Sequence, residues 1–238
     1  MSVELLESAK KQAAFAAVDE FVTADTKFVG VGSGSTVVYA VERLNEKAKA
    51  SQKPLHCVPT SFQARQLITA ADSLILSDLE SCPLLDVCID GSDECDADLN
   101  CIKGGGGCLT QEKIVAYNSK QFVVIADYRK DSTVLGHSWR LGVPIEVIPF
   151  AYTAVSNDIK RLGGTPVLRM AKAKAGPLVT DNGMFIIDAD WGDIQDPAAL
   201  HQSLIVIPGV VETGLFCDMA KVAFFGQADG TVVRKTAQ

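Results

Sequence analysis

The stretch KFVGVGSGSTVVYAVERLNEKAK, Lys27–Lys49, opens as a strand and closes as a helix. Lys27–Gly32 is short and apolar, as a buried strand should be. Gly32-Ser33-Gly34-Ser35-Thr36 turns the chain, and Val37–Lys49 reads as a helix. Strand, glycine loop and helix in that order start a βαβ unit. Such a loop brings free amides and the positive helix end, about half a charge, to one point. Ser33, Ser35 and Thr36 add hydroxyl donors. The spacing is not GxGxxG and no acid closes a second strand, so a dinucleotide is not expected. No lysine follows the glycines, which excludes a Walker loop.

Outward from this unit, strands and helices alternate. Residues 4–22 carry a helical stripe (Leu5, Leu6, Ala9, Ala13, Ala16, Ala17, Phe21). Strands are expected at 56–60, 73–77, 85–90 and 121–127, with helices at 61–70 and 109–118. The alternation implies a parallel sheet with right-handed crossovers. After about residue 132 the texture changes. Val143–Phe150 (VPIEVIPF) has prolines near both ends, the mark of an edge or shortened strand. A helix at 152–162, a strand at 165–170, a hairpin turn at Asp181-Asn182-Gly183 and a strand at 184–190 follow. A helix at 197–203, a strand at 204–207 and a last strand at Val222–Phe225 complete the reading. The fold class is α/β, a parallel-sheet domain with a small α+β unit.

The chain has 238 residues, 47% hydrophobic and 21% charged, with net charge −7. An acidic chain of this kind lacks the basic surface of a nucleic-acid binder. No run reaches the ~18 apolar residues of a membrane span, and no basic, apolar leader opens the chain. A cytoplasmic location is expected. Seven cysteines, an odd number without zinc-type spacing, read as reduced thiols. No metal is expected.

The chemistry concentrates in DGSDECDADLNCIKGGGGCLTQE, Asp90–Glu112. Four consecutive glycines cost backbone entropy, so bare backbone close to a ligand is the reason to keep them. Asp90 ends a buried strand, and Gly91-Ser92 turns the chain toward Asp93. Ligands of open α/β sheets bind beyond the carboxyl ends of strands. Lys103 can neutralise an oxyanion while the amides of Gly104, Gly105 and Gly106 hold oxygens. Glu112 opens the next helix, with Thr110 as its candidate cap, and Lys113 reads as a surface residue. Glu94, Asp96 and Asp98 read as a solvated loop. Lys130 stands at another strand's carboxyl end. His56, His137 and His201 share no motif, so a nucleophilic triad is not expected.

VGVGSGST, IDGSDECD, IKGGGGCLTQEK, PIEVIPF, VTDNGMFIID and IPGVVETGLF occur in this order. Together they resemble ribose-5-phosphate isomerase of type A, from about Val29 to Gly226. The resemblance implies a Rossmann-like domain (1–132 plus 208–238) and a small ferredoxin-like lid or oligomerisation domain (133–207). It implies a homodimer or homotetramer, no cofactor, and the interconversion of ribose 5-phosphate and ribulose 5-phosphate in the non-oxidative pentose phosphate pathway. Matched by motif, Glu112 is the general base, with Asp90, Asp93 and Lys103 as its polar partners. Ser33, Gly34, Ser35, Thr36, Asp90, Gly91, Ser92, Asp93, Lys103, Gly104, Gly105, Gly106 and Lys130 are the sugar-phosphate contacts. Lys11 is a further phosphate candidate. Ser33 stands where the family often has threonine and Ser92 where it often has alanine; both keep the backbone donors. Three other readings compete: a sugar-phosphate sensor, an amino-sugar-phosphate deaminase and an acyl-CoA transferase. A sensor needs no aligned base and lysine, a deaminase wants a loop histidine, and a transferase wants a CoA site.

Overall fold

The computed structural model describes residues 3–237. Its elements run α1 (Val3–Phe21), β1 (Phe28–Val31), α2 (Ser35–Ser51), β2 (Leu55–Pro59), α3 (Phe62–Ala70), β3 (Leu74–Leu76) and β4 (Val87–Asp90). A short hairpin of β5 (Glu94–Cys95) and β6 (Cys101–Ile102) leads to α4 (Leu109–Tyr117) and β7 (Phe122–Asp127). Next come β8 (Val143–Val147), α5 (Tyr152–Arg161), β9 (Thr165–Leu168), β10 (Phe185–Asp190) and α6 (Pro197–Ile205). The chain closes with β11 (Val210–Thr213), β12 (Leu215–Phe216), β13 (Ala220–Gly226) and β14 (Val232–Thr236).

The main sheet has seven strands in the order β14-β13-β7-β4-β1-β2-β3. All its pairings are parallel except the antiparallel edge pair β13–β14. β4 and β7 are buried along their whole length, as strands sandwiched between helices must be. α1 lies on this sheet through small residues, Ala9, Ala13, Ala14 and Ala17, all fully buried. The approach is so close that a Cβ on Gly226 would fall 1.9 Å from the Ala9 carbonyl oxygen. From β1 the strand order runs one way to β2 and the other way to β4. That divergence is a topological switch point, where the carboxyl ends of neighbouring strands open a crevice.

The second sheet is antiparallel, in the order β11-β8-β10-β9. With α5 and α6 it gives a βαββαβ, ferredoxin-like unit. Its core is Ile145, Val147, Val155, Ile159, Ile187, Ala189 and Leu204. A third small sheet, β12-β6-β5, joins the two.

Two expectations are corrected here, and the turn at 181–183 is located. Val143–Val147 is a central strand, not an edge; the shortened alternative holds, since it ends before Pro149. Pro144 is tolerated because it lies where β11 has just ended; its carbonyl accepts from Gly214 N at 2.6 Å. Residues 204–207 form no strand: Leu204 and Ile205 finish α6. The run Leu204-Ile205-Val206-Ile207 is apolar and mostly β-branched, but Leu204 is buried as part of the helix's inner face. The turn at residues 181–183 is present, with Gly183 N bonded to Thr180 O at 2.9 Å. It lies inside the long β9–β10 connection rather than joining the paired strands directly.

Candidate active site

The crevice at the switch point is built from the loops after β1, β4, β6 and β7. After β1 comes Gly32, which has to be a glycine, because a Cβ there would fall 1.9 Å from Asp90 Oδ1. This contact lets the buried Asp90 carboxylate cap two amides, Ser33 N at 2.9 Å and Gly91 N at 2.7 Å. Its other oxygen, Oδ2, stands 2.9 Å from Lys103 Nζ. Lys103 leaves β6 with its own amide fixed to Gly214 O at 2.8 Å. Its ammonium donates to Gly91 O at 2.6 Å and lies 3.4 Å from Glu112 Oε2. The Phe216 ring lies against the same ammonium, 5.3 Å from centroid to Nζ. Glu112 enters from the first turn of α4 and is only 5% exposed.

Two buried acids thus share one buried lysine. Burial pushes the Glu112 carboxyl up to about 8, and the Asp90 charge adds to the effect. Lys103 offsets part of it. Burial disfavours the Lys103 ammonium, but the charges of Asp90 and Glu112 outweigh it and hold its proton well above the ordinary lysine value. Asp93 is also raised, by burial, against the Gly105 amide and Lys103. A carboxyl poised near neutrality beside a fixed cation suits proton abstraction and return.

Asp93 organises the glycine run. Its Oδ2 accepts from Gly105 N at 2.6 Å, and a Cβ on Gly105 would meet Oδ1 at 2.5 Å. From the other side Arg169 donates to Gly104 O at 3.0 Å and Gly105 O at 3.1 Å. Among the described residues, no acceptor meets the Gly106 amide.

The mouth of the crevice is cationic. Gly34 caps α2 without a side chain and its own amide donates to Gln63 Oε1 at 2.8 Å, which leaves the Ser35 and Thr36 amides without a side-chain cap at the cleft. Ser33 Oγ is turned back onto Thr60 Oγ1 and Ser61 Oγ, at 2.8 and 2.7 Å. Lys10 Nζ donates to Ser35 Oγ at 3.0 Å and is steadied by Glu7 at 2.7 Å. Lys130, in a single 3-10 turn after β7, rests its ammonium over Trp139 at 5.2 Å. It pairs with no described carboxylate. Arg129 beside it is paired to Asp127 at 2.6 Å. The cleft encloses about 290 Å³. Ser33, Gly34, Ser35, Thr36, Gly91, Ser92, Asp93, Lys103, Gly104, Gly105, Gly106, Glu112 and Lys130 all line it. Asp90 lies beneath them.

Several residues stand elsewhere than their sequence suggests. Lys11 points away, paired to Glu42 at 2.8 Å, and Lys10 takes the place at the cleft. Glu94 is fully buried, not solvated, and accepts from Gly136 N at 2.6 Å and Ser138 N at 2.5 Å. Asp96 is buried too and bonds Asp98 N and Asn100 N, while Asp98 is exposed. Thr110 does not cap α4; it donates to the buried Glu146 carboxylate at 2.5 Å. Glu146 also accepts from Thr180 at 2.7 Å and Asn182 at 3.1 Å, so it ties the start of α4 to the 180–182 turn. Lys113 is no surface residue. It bonds Glu212 at 2.7 Å and the carbonyls of Thr213 and Leu215 at 2.7 and 2.9 Å, pinning α4 to β11 and β12. Beside the cleft, burial pushes the Cys108 thiol up to about 12, far from a reactive thiolate. Among the described residues no three His, Cys, Asp or Glu side chains are grouped to hold a metal, and no helix is long and apolar enough to cross a membrane.

A switch-point cleft with a buried acid–lysine cluster and a cationic mouth defines an α/β enzyme site for a small anionic substrate. Residues 56–230 match the family model for ribose 5-phosphate isomerase A (phosphoriboisomerase A). The chain is 54% identical to ribose-5-phosphate isomerase of Sus scrofa over 227 residues, which cover 95% of this chain and 74% of that protein. It is 54% identical to the Dictyostelium discoideum ribose-5-phosphate isomerase over 95% of this chain and 97% of that one. Among solved structures, a D-ribose-5-phosphate isomerase in complex with phospho-erythronic acid superposes with TM-score 0.91 at 39% identity, covering 99% of this chain and 100% of that one. Ribose 5-phosphate isomerase A of Methanocaldococcus jannaschii gives 0.89 at 36% identity, covering 97% and 99%. The chain belongs to the ribose 5-phosphate isomerase A family.

Proposed function

We propose that the protein interconverts D-ribose 5-phosphate and D-ribulose 5-phosphate, the aldose–ketose step of the non-oxidative pentose phosphate pathway, with Glu112 as the base. The observation that carries the assignment is the Glu112 carboxyl, buried and raised to about 8, 3.4 Å from the Lys103 ammonium. Glu112 takes the proton from C2 of the open-chain aldose. The electron pair forms the C1–C2 double bond, and the carbonyl electrons move to O1, giving a cis-enediolate. Lys103 and the glycine amides stabilise the oxyanion. The O2 proton is then lost as O1 gains one, and Glu112 returns its proton to C1. Asp90 is the first choice, and Asp93 the second, for moving the proton that opens the furanose ring. The phosphate sits at the mouth beside Gly34, on the first amides of α2 (Ser35, Thr36), Lys130 and Lys10. Gly91 and Ser92 meet the sugar.

The small sheet acts as a lid in this reading. The expected lid span was 133–207; β11 at Val210–Thr213 completes the sheet, so the return to the main sheet falls after Thr213. Assembly as a homodimer or homotetramer and a cytoplasmic location belong to the same proposal. Purified protein is incubated with ribose 5-phosphate, without added cofactor or metal, and ribulose 5-phosphate is followed. Its formation supports the reading, and its absence sinks it.

A further inference from the structure

We propose that Arg169 is a positioning residue that aims the Gly106 amide at the reacting end of the substrate and seats the Gly105 amide on Asp93. This rests on the isomerase reading of the cleft. Arg169 follows β9 in the small sheet and is locked by a two-pronged pair to Asp188 on β10, through Nε at 2.8 Å and through Nη2. Both side chains are largely buried, 15% and 17% exposed. The remaining donor, Nη1, meets the carbonyls of both Gly104 and Gly105, at 3.0 and 3.1 Å.

The peptide geometry turns these two bonds into a direction for two amides. A trans peptide is planar, and its N–H points opposite its C=O; no bond in the described chain is cis. The Gly104 carbonyl shares a peptide with the Gly105 amide, which points away from Arg169 to Asp93 Oδ2 at 2.6 Å. The Gly105 carbonyl shares a peptide with the Gly106 amide. Held the same way, that amide faces the cleft it lines, where no described residue accepts from it. Within the run the Gly107 amide holds the Gly104 carbonyl at 2.9 Å, but among the described residues Arg169 alone donates to the Gly105 carbonyl. Glycines have little intrinsic preference for one backbone orientation, so the Gly105–Gly106 plane needs this outside contact. A guanidinium on both carbonyls also polarises the two peptides and strengthens their N–H groups as donors. Arg169 touches no reacting atom; it acts through the backbone.

The test uses the full-length protein and the variants Arg169→Gln, Arg169→Lys and Asp188→Asn. Five quantities are measured: kcat and KM for ribose 5-phosphate, the affinities of phospho-erythronic acid and of inorganic phosphate by calorimetric titration, and Tm. The carboxylate of phospho-erythronic acid stands in for the planar enediolate oxygens, while inorganic phosphate occupies only the mouth. Arg169→Gln is expected to lower kcat and phospho-erythronic acid affinity together, by roughly 10–100-fold, since oxyanion donors are worth that much or more. KM and phosphate affinity should stay close to wild type, while Tm falls, because Asp188 is left largely buried without its cation. Arg169→Lys should recover part of the loss, because it keeps the charge without the fork, and Asp188→Asn should lose less than Arg169→Gln. Two results overturn the proposal: kcat within twofold of wild type in Arg169→Gln, or a fall in kcat matched by an equal loss of phosphate affinity, the pattern of a purely structural pin. A wild type without isomerase activity would instead overturn the functional reading. Phospho-erythronic acid binding would still report on Arg169 in that case.

Discussion

At the deep end of the cleft, Asp90, Lys103 and Glu112 are nearly sealed from solvent. At the mouth, Lys10, Lys130 and the first turn of α2 stand partly in water. The deep end uses burial: it lifts the Glu112 carboxyl to about 8 and fixes the lysine proton between two acids. The mouth offers several modest donors, most of them open to water, for the proposed phosphate. The first arrangement sets proton affinities and so should govern kcat. The second sets affinity for the phosphate and so should govern KM. Substitutions at the two ends therefore separate the two constants.

The largest effect is expected at Lys103. Replacing it with methionine leaves Asp90 and Glu112 buried without a cation, and breaking such a pair costs about 3–5 kcal/mol. Urea unfolding of Lys103→Met measures this, and a loss below about 1 kcal/mol would mean the cluster is not electrostatically sealed. Next comes the pH dependence of stability. The folded Glu112 carboxyl binds its proton up to about 8, against 4.5 for the ordinary group. Its contribution is therefore fully present below 4.5 and is lost as pH rises toward about 8. Wild type should lose stability relative to Glu112→Gln across that window and hold a constant difference above it; parallel curves would refute the shift.

At the mouth the effects are smaller and fall on KM. Lys130→Ala and Lys10→Ala should each raise KM for ribose 5-phosphate roughly tenfold, the worth of one hydrogen bond to a charged group, with kcat within about twofold. An unchanged KM would remove that lysine from the phosphate site. Smallest of all is Lys11→Ala, which loses one exposed ion pair to Glu42. Kinetics within about twofold of wild type are expected, because such pairs contribute little. A tenfold rise in KM would restore Lys11 to the site.

The same division shows what the chain discloses before it folds. Asp90, Asp93, Lys103 and Glu112 are legible because they sit at a strand end, beside a glycine run and in a helix's first turn, all local signals. The mouth is less legible. Lys10 and Lys11 are adjacent in sequence but about 100° apart around a helix, and only the packing of α1 on the main sheet decides which one reaches the cleft. Glu94 was hidden for a similar reason. An acidic run reads as solvated, and nothing local reveals that the amides of Gly136 and Ser138 will enclose one member of it. Arg169 gave no signal at all, since its partners are backbone carbonyls 65 and 64 residues away. The small sheet was legible as a class. The end of α6 is not, because an apolar run of four residues has no period of its own.

The central claim is that Glu112 carries the proton between C2 and C1, and the turnover of Glu112→Gln tests it most directly. The substitution keeps the shape and removes the base. The account predicts a fall in kcat of about 10²–10⁴-fold for ribose 5-phosphate, the usual worth of a positioned base, with KM changed little. Near wild-type turnover by Glu112→Gln would contradict it.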